Sequence, residues 1–192
     1  MKARLALLAT MCVVIVLNAC GNVASLKATI PTYVDTLSLW SLSGTPPSYP
    51  SGISITTRQI VRVDGFAGFD IALDIDANGK AVVYPVKLVV AVPGGTRAVG
   101  LQRASGTFET VLAAPSTGYE TDSALVMAPG EVVAVESPHN GSGDICQFSI
   151  SPNVYAKIAV DSVNLATRII YLRMGFDPNC GFRSFATGIP TS

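Results

Sequence analysis

The chain has 192 residues, with 13 basic against 13 acidic side chains, one histidine and an apolar share of 49%. No basic stripe supplies the electrostatic footprint of nucleic-acid binding, and a charged share of only 14% does not fit a disordered chain. The length suits one domain with a full hydrophobic core.

Lys2 and Arg4 precede an uncharged apolar run from Leu5 to Leu17, the layout of a secretory signal. As a helix this run spans about 20 Å, short of the roughly 30 Å hydrocarbon core, so a permanent membrane span is the poorer reading. It ends in Leu17-Asn18-Ala19-Cys20, which resembles the lipobox of bacterial lipoproteins, with Leu three places before the cysteine and a small residue directly before it. The resemblance implies a cleaved signal peptide over residues 1–19, a diacylglyceryl thioether on Cys20 and an acylated new amino terminus. Cys12 is a poorer acceptor, because Met11 precedes it and less apolar helix lies before it. Two or three acyl chains on one residue hold a protein on a membrane essentially permanently. Gly21 stands where related lipoproteins retained in the inner membrane carry Asp, which implies the outer membrane in a two-membrane cell. The expected localisation is therefore the cell envelope, with the membrane as partner through the lipid.

Residues 20–31 are expected to be the lipidated cysteine and its tether, reaching about 35 to 40 Å when extended. The remaining residues, 32–192, read as one β-domain. Trp40, near Tyr33 and Tyr49, is a candidate for stacking on a glycan or a partner protein, although a lone strand Trp more often packs in a core. The Gly, Pro and Ser-rich stretch Ser43–Gly52 reads as one long loop.

In FDIALDID, Phe69, Ile71, Leu73 and Ile75 alternate with Asp70, Ala72, Asp74 and Asp76, which predicts a strand with one solvated face. Ala77-Asn78-Gly79 supplies the positive-φ positions of a hairpin turn. AVVYPVKLVVAV then predicts a strand apolar on both faces, with Pro85 marking a bulge or an edge and Pro93-Gly94-Gly95 its end. Asp74, Asp76 and Asn78 also match the first half of a calcium-binding loop, but the position of the bidentate Glu is Pro85 and the flanks are strands, so the hairpin reading is preferred.

The carboxylate pairs Glu120 with Asp122, and Glu131 with Glu136, invite a glycosidase reading that depends on a separation no sequence reveals. VPGGT lacks the spacing and Lys of a phosphate-binding loop. The only histidine, His139, lies close to Ser142 and Asp144, yet residues so near along one loop rarely converge as a hydrolase triad, and no G-x-S-x-G elbow occurs. His139 is expected to be exposed or to cap that loop, and no catalytic residue is assigned.

VYAKIAVD places Val154, Ala156, Ile158 and Val160 on one face and Tyr155, Lys157 and Asp161 on the other, and TRIIYLRMGF is also strand-like. Turn signals at Gly65, Gly106, Pro129-Gly130, Pro152-Asn153 and Asn164 bring the expectation to about ten short strands. The predicted fold is all-β, an antiparallel β-sandwich, with a closed barrel as alternative. Cys146 and Cys180 remain after the signal is removed. In an exported protein such a pair is most simply a disulfide, tying the last strand to one beginning near Ile145, and without a CxxC or a histidine cluster a metal or redox site is the lesser reading.

The expected role is a membrane-anchored envelope lipoprotein whose β-domain binds or supports an envelope protein or glycan. A small ester or glycoside hydrolase and a calcium-stabilised binding module are the alternatives. Apart from the covalent lipid on Cys20, and calcium in the last alternative, no cofactor is expected.

Overall fold

The computed structural model describes residues 27–64, 68–90, 97–139 and 141–191. The signal run, the lipobox with Cys20, Gly65 and Pro93-Gly94-Gly95 lie outside the described residues.

Among the described residues ten strands form, all paired antiparallel: β1 (Tyr33–Trp40), β2 (Gly52–Ser54), β3 (Gln59–Val61), β4 (Ile71–Ile75), β5 (Ala81–Pro85), β6 (Gly100–Ala104), β7 (Leu125–Met127), β8 (Val132–Pro138), β9 (Asn153–Asn164) and β10 (Ile169–Asp177). One sheet runs β1-β10-β9-β8-β6 and the other β3-β2-β4-β5-β7, so the fold is a sandwich of two open five-stranded sheets and not a closed barrel. Alternation builds the interior. Val133 and Val135 on β8, Ala156 and Ile158 on β9, and Leu172 and Met174 on β10 face Ile53, Ile71, Leu73 and Val83 of the other sheet in one continuous core.

Pro85 does not kink a long strand but ends one. Ile71 pairs with it, β7 pairs only with Ala81 to Val83, and a short 3-10 turn follows from Val86 to Leu88. A residue without an N–H cannot extend the ladder, so the predicted twelve-residue strand becomes five. In the hairpin between β4 and β5 only Gly79 has a positive φ, of 77°; Asn78 does not.

The expectation of solvated outer faces fails in two places. Asp70 and Ala72 are fully buried, and Tyr155 and Lys157 are nearly so. On the outside of the first sheet a second small core forms from Phe108, Val111, Ala114, Val132, Tyr155, Ala159 and Phe185. The loop after β6 and the segment after β10 make this lid together, Ala114 N donating to Arg183 O at 2.7 Å and Phe185 N to Leu112 O at 2.7 Å. Under it, the Lys157 ammonium donates to the carbonyls of Phe108 and Val111, the latter at 2.8 Å, and lies 4.3 Å from the Phe108 ring centroid. Burial pushes its pKa down. Gly175 leaves room for this stem, since a Cβ there would come within 2.9 Å of Lys157 Cε.

The predicted tether ends earlier than Pro31. Thr29 N and Ile30 N both donate to Asn179 Oδ1, at 2.9 and 3.1 Å, and Asn179 Nδ2 donates to Ile30 O at 2.7 Å. Thr32 N then bonds Gly188 O at 3.0 Å. An asparagine side chain thus clasps the incoming segment as a neighbouring strand would, satisfying both its N–H and C=O groups.

Candidate functional site

Ser137 shares the inward face of β8 with Val133 and Val135, so its hydroxyl projects into the interior between the sheets. There it meets Asp70, which precedes β4 on the opposite sheet. Ser137 Oγ donates to Asp70 Oδ1 at 2.6 Å, and Ile55 N donates to Asp70 Oδ2 at 2.7 Å. His139, directly after β8, brings Nε2 to 3.1 Å from Ser137 Oγ and 3.2 Å from Asp70 Oδ1. Arg97 Nη2 adds a 3.1 Å ion pair to the same oxygen. A polar junction, contributed by four separate stretches of chain, therefore pins the two sheets together.

His139 is consequently neither exposed nor a loop cap. Its side chain is 4% exposed, and those of Asp70 and Ser137 are sealed as well. Burial alone would raise the Asp70 carboxyl, but the His139 hydrogen bond, the Arg97 charge and the Ser137 hydroxyl outweigh it and hold the pKa below the ordinary carboxylate value.

The junction contains the residue types of a hydrolase triad, but its hydrogen bonds run the wrong way. The Ser137 proton is committed to Asp70, so Nε2 must carry a proton to bond either neighbour, and it cannot then act as base toward Ser137. His139 Nδ1 lies 3.8 Å from Asp144 Oδ1, beyond hydrogen-bond distance. Asp144 instead accepts from Gly141 N at 3.1 Å. The arrangement is built to hold two sheets, and it leaves little mark in the sequence because Asp70 and Ser137 are 67 residues apart. The available hint was a carboxylate between Phe69 and Ile71 in a strongly apolar run.

The carboxylates of the calcium candidates serve nearby donors. Asp74 Oδ1 accepts from Ser43 N at 3.0 Å, Ile75 N at 2.7 Å and the Ser41 hydroxyl, while Oδ2 accepts from Ser43 Oγ at 2.6 Å. Burial works to raise its pKa, but these donors prevail and lower it. Asp76 Oδ1 accepts from Asn78 N at 2.9 Å and Lys80 N at 2.8 Å, closing the hairpin turn. Among the described residues no group of three or more His, Cys, Asp or Glu side chains is placed to hold a metal.

Three of the four paired carboxylates have partners of their own. Glu131 bonds Arg103 and Ala128 N, Glu136 accepts from the Tyr155 hydroxyl at 2.8 Å, and Asp122 pairs with Lys87.

Trp40 does not enter the core. It lies on the outward face of the edge strand β1, half-buried, with its ring 4.9 Å from that of exposed Tyr49 and tilted by 54°. Leu39 takes the core position beside it. The pair therefore stays available for stacking at one end of the sandwich.

The opposite end gathers the cysteines and the clasp. Cys146 and Cys180 form the disulfide, with Cα atoms 5.7 Å apart. Cys146 belongs to the turn-rich loop between β8 and β9, not to a strand starting near Ile145, and Cys180 follows β10. Asp177, at the end of β10, is fully buried; its Oδ1 accepts from Asn179 N at 2.9 Å and Asn179 Nδ2 at 2.8 Å, while Oδ2 has no partner. Burial pushes its pKa up against these bonds. A raised value means that the stability it confers is complete in acid and is lost as pH rises through the folded-state pKa. Asp177→Asn is expected to flatten the decline of melting temperature between pH 4 and pH 8 and to gain roughly 1 kcal/mol at the alkaline end. Thermal melts of both proteins across that range check this, and parallel profiles refute it.

No protein-family model matches the chain, and comparison with curated proteins and with solved structures finds no match.

Proposed function

We propose that the protein is an exported lipoprotein of the cell envelope, cut before Cys20 and held on a membrane by lipid on that residue. Its β-sandwich serves as a binding or structural module for an envelope protein or glycan. The lipobox carries this reading, since a charged start, a short apolar run and Leu17-Asn18-Ala19-Cys20 occur together. The Cys146–Cys180 bridge supports it, because disulfides persist in oxidising compartments. Gly21 favours the outer membrane where a cell has two.

A binding role is favoured over a hydrolase because the cluster with hydrolase residue types is closed to solvent and its serine donates to a carboxylate. Trp40 with Tyr49 offers the stacking surface such a role could use.

Mass spectrometry of the protein purified from its native membrane tests the anchor. The expected amino-terminal peptide begins at Cys20 and carries a diacylglyceryl group and an acyl chain, and Cys20→Ala abolishes both modifications. An unmodified Cys20, or a different first residue, overturns the anchor. Affinity purification with Cys20 intact then identifies the component held.

A further inference from the structure

The loop between β8 and β9 exposes apolar side chains to an unusual degree: Phe148 is 93% exposed, Ile150 80% and Ile145 54%. Large apolar groups left in water on one short loop mark an interaction surface. From Ile145 to Ser151 the loop carries no charge, and Asp144 beside it is turned to Gly141 N and toward the His139 ring. The loop is pinned at its base with these groups outward: Cys146 is fully buried and bridged to Cys180, and Ser149 N closes a turn onto Cys146 O at 2.9 Å.

Its position identifies the occupant. Ile145 and Ser149 line a groove of about 380 Å³ together with Lys27, Thr29 and Ile30, so the apolar loop lies where the amino-terminal segment reaches the domain. Cys20 precedes Lys27 by only seven residues, about 24 Å at full extension. A lipid on Cys20 therefore keeps this end of the sandwich within about 24 Å of the bilayer, at an effective concentration that makes even a weak contact persistent.

We propose that Phe148 and Ile150, with Ile145, form a membrane-contacting surface that sinks into the headgroup and upper acyl region beside the anchor. This rests on the lipid anchor proposed above. The chemistry fits: the apolar tips enter the interface, and Lys27, at the rim of the groove, faces anionic headgroups. The contact fixes the orientation of the domain, with the β9–β10 turn and Trp40 directed away from the lipid. Trp40 pairs with Ile169 while Tyr33 pairs with Phe176, so Trp40 sits seven strand positions, about 23 Å, from the membrane end.

The test uses the full, processed protein reconstituted in vesicles of phosphatidylethanolamine and phosphatidylglycerol, with and without lipids brominated high on the acyl chain. In the double variant Trp40→Phe, Phe148→Trp, the new indole is expected to emit at shorter wavelength than in detergent-free buffer and to lose at least half its intensity to the brominated lipid. The unaltered protein, reporting from Trp40, is expected to lose almost none. A lipidated chain whose indole at 148 stays solvent-like overturns the surface and leaves the anchor standing. A blue-shifted but unquenched indole also overturns it, since protein and not lipid then covers the loop. The mass of the Cys20 peptide is read on the same sample. Quenching in a chain without lipid at Cys20 sustains the surface and sinks the anchor, and absence of both refutes both.

Discussion

Asp70→Ala is expected to remove about 3–5 kcal/mol from the stability of the domain, the scale on which a buried ionic junction fails when one partner is deleted. The carboxylate takes hydrogen bonds from Ser137 Oγ and Ile55 N and neutralises Arg97, so its loss strands a cation and leaves two donors unpaired in the core. Against a typical total of 5–15 kcal/mol this is a large fraction. Asp70→Asn keeps an acceptor and loses the charge, and its penalty is expected to be smaller. The pH dependence has a definite sign. The folded-state pKa lies below the ordinary value, so the contribution is present above the unfolded carboxylate range and is lost as pH falls through the folded value. Urea titrations at pH 7 and at pH 3 are therefore expected to show wild type and Asp70→Asn converging in acid. A cost under about 1 kcal/mol for Asp70→Ala at pH 7 contradicts the bridging role.

Removal of the disulfide is the second large effect. For a bridge with a sequence separation of 34, loop-closure entropy corresponds to about 3.8 kcal/mol, an upper figure for the pair Cys146→Ala, Cys180→Ala. A domain of this size is expected to lose roughly 10 °C in melting temperature. The damage is local in the folded state: Cys146 N donates to His139 O at 2.8 Å, so the freed loop loosens the backbone that carries His139. Hydrogen exchange in the double variant is expected to accelerate in β4 and β5 by up to about 10²–10³-fold, as core amides that open only on global unfolding must, and to accelerate in residues 141–151 as well through added local opening. Unchanged exchange in β4 and β5 contradicts the entropic contribution.

The sandwich was legible because its signal is short-range. Alternation in Val154, Ala156, Ile158 and Val160 and the turn at Gly79 depend only on neighbours along the chain. The paired cysteines followed from their number. What stayed hidden depends on tertiary register. Phe108, Val111 and Phe185 show no strand period, so nothing in the sequence announced that their segments would roof the outer face and bury Lys157. His139 looked like loop chemistry because its local company is Pro, Asn, Gly and Ser. Its partner Asp70 is brought to it by the packing of one sheet on the other. Trp40 stays out of the core, where a lone strand Trp more often packs, because on β1 the parity that sends Leu39 inward sends its neighbour out.

The Asn179 clasp also decides where traction enters the molecule. A pull on the residues before Lys27 is taken first by three hydrogen bonds on one amide, loaded side by side at Thr29 and Ile30. Without them the same pull would fall on the Thr32 bond to Gly188 and then peel β1 from β10 one rung at a time from Tyr33 and Phe176, the direction in which an edge strand resists least. Asn179 adjoins Cys180, so load leaving the clasp passes into a covalent bridge and across to Cys146. The domain thus carries a strain relief at its point of suspension, which spares the ladder beneath it.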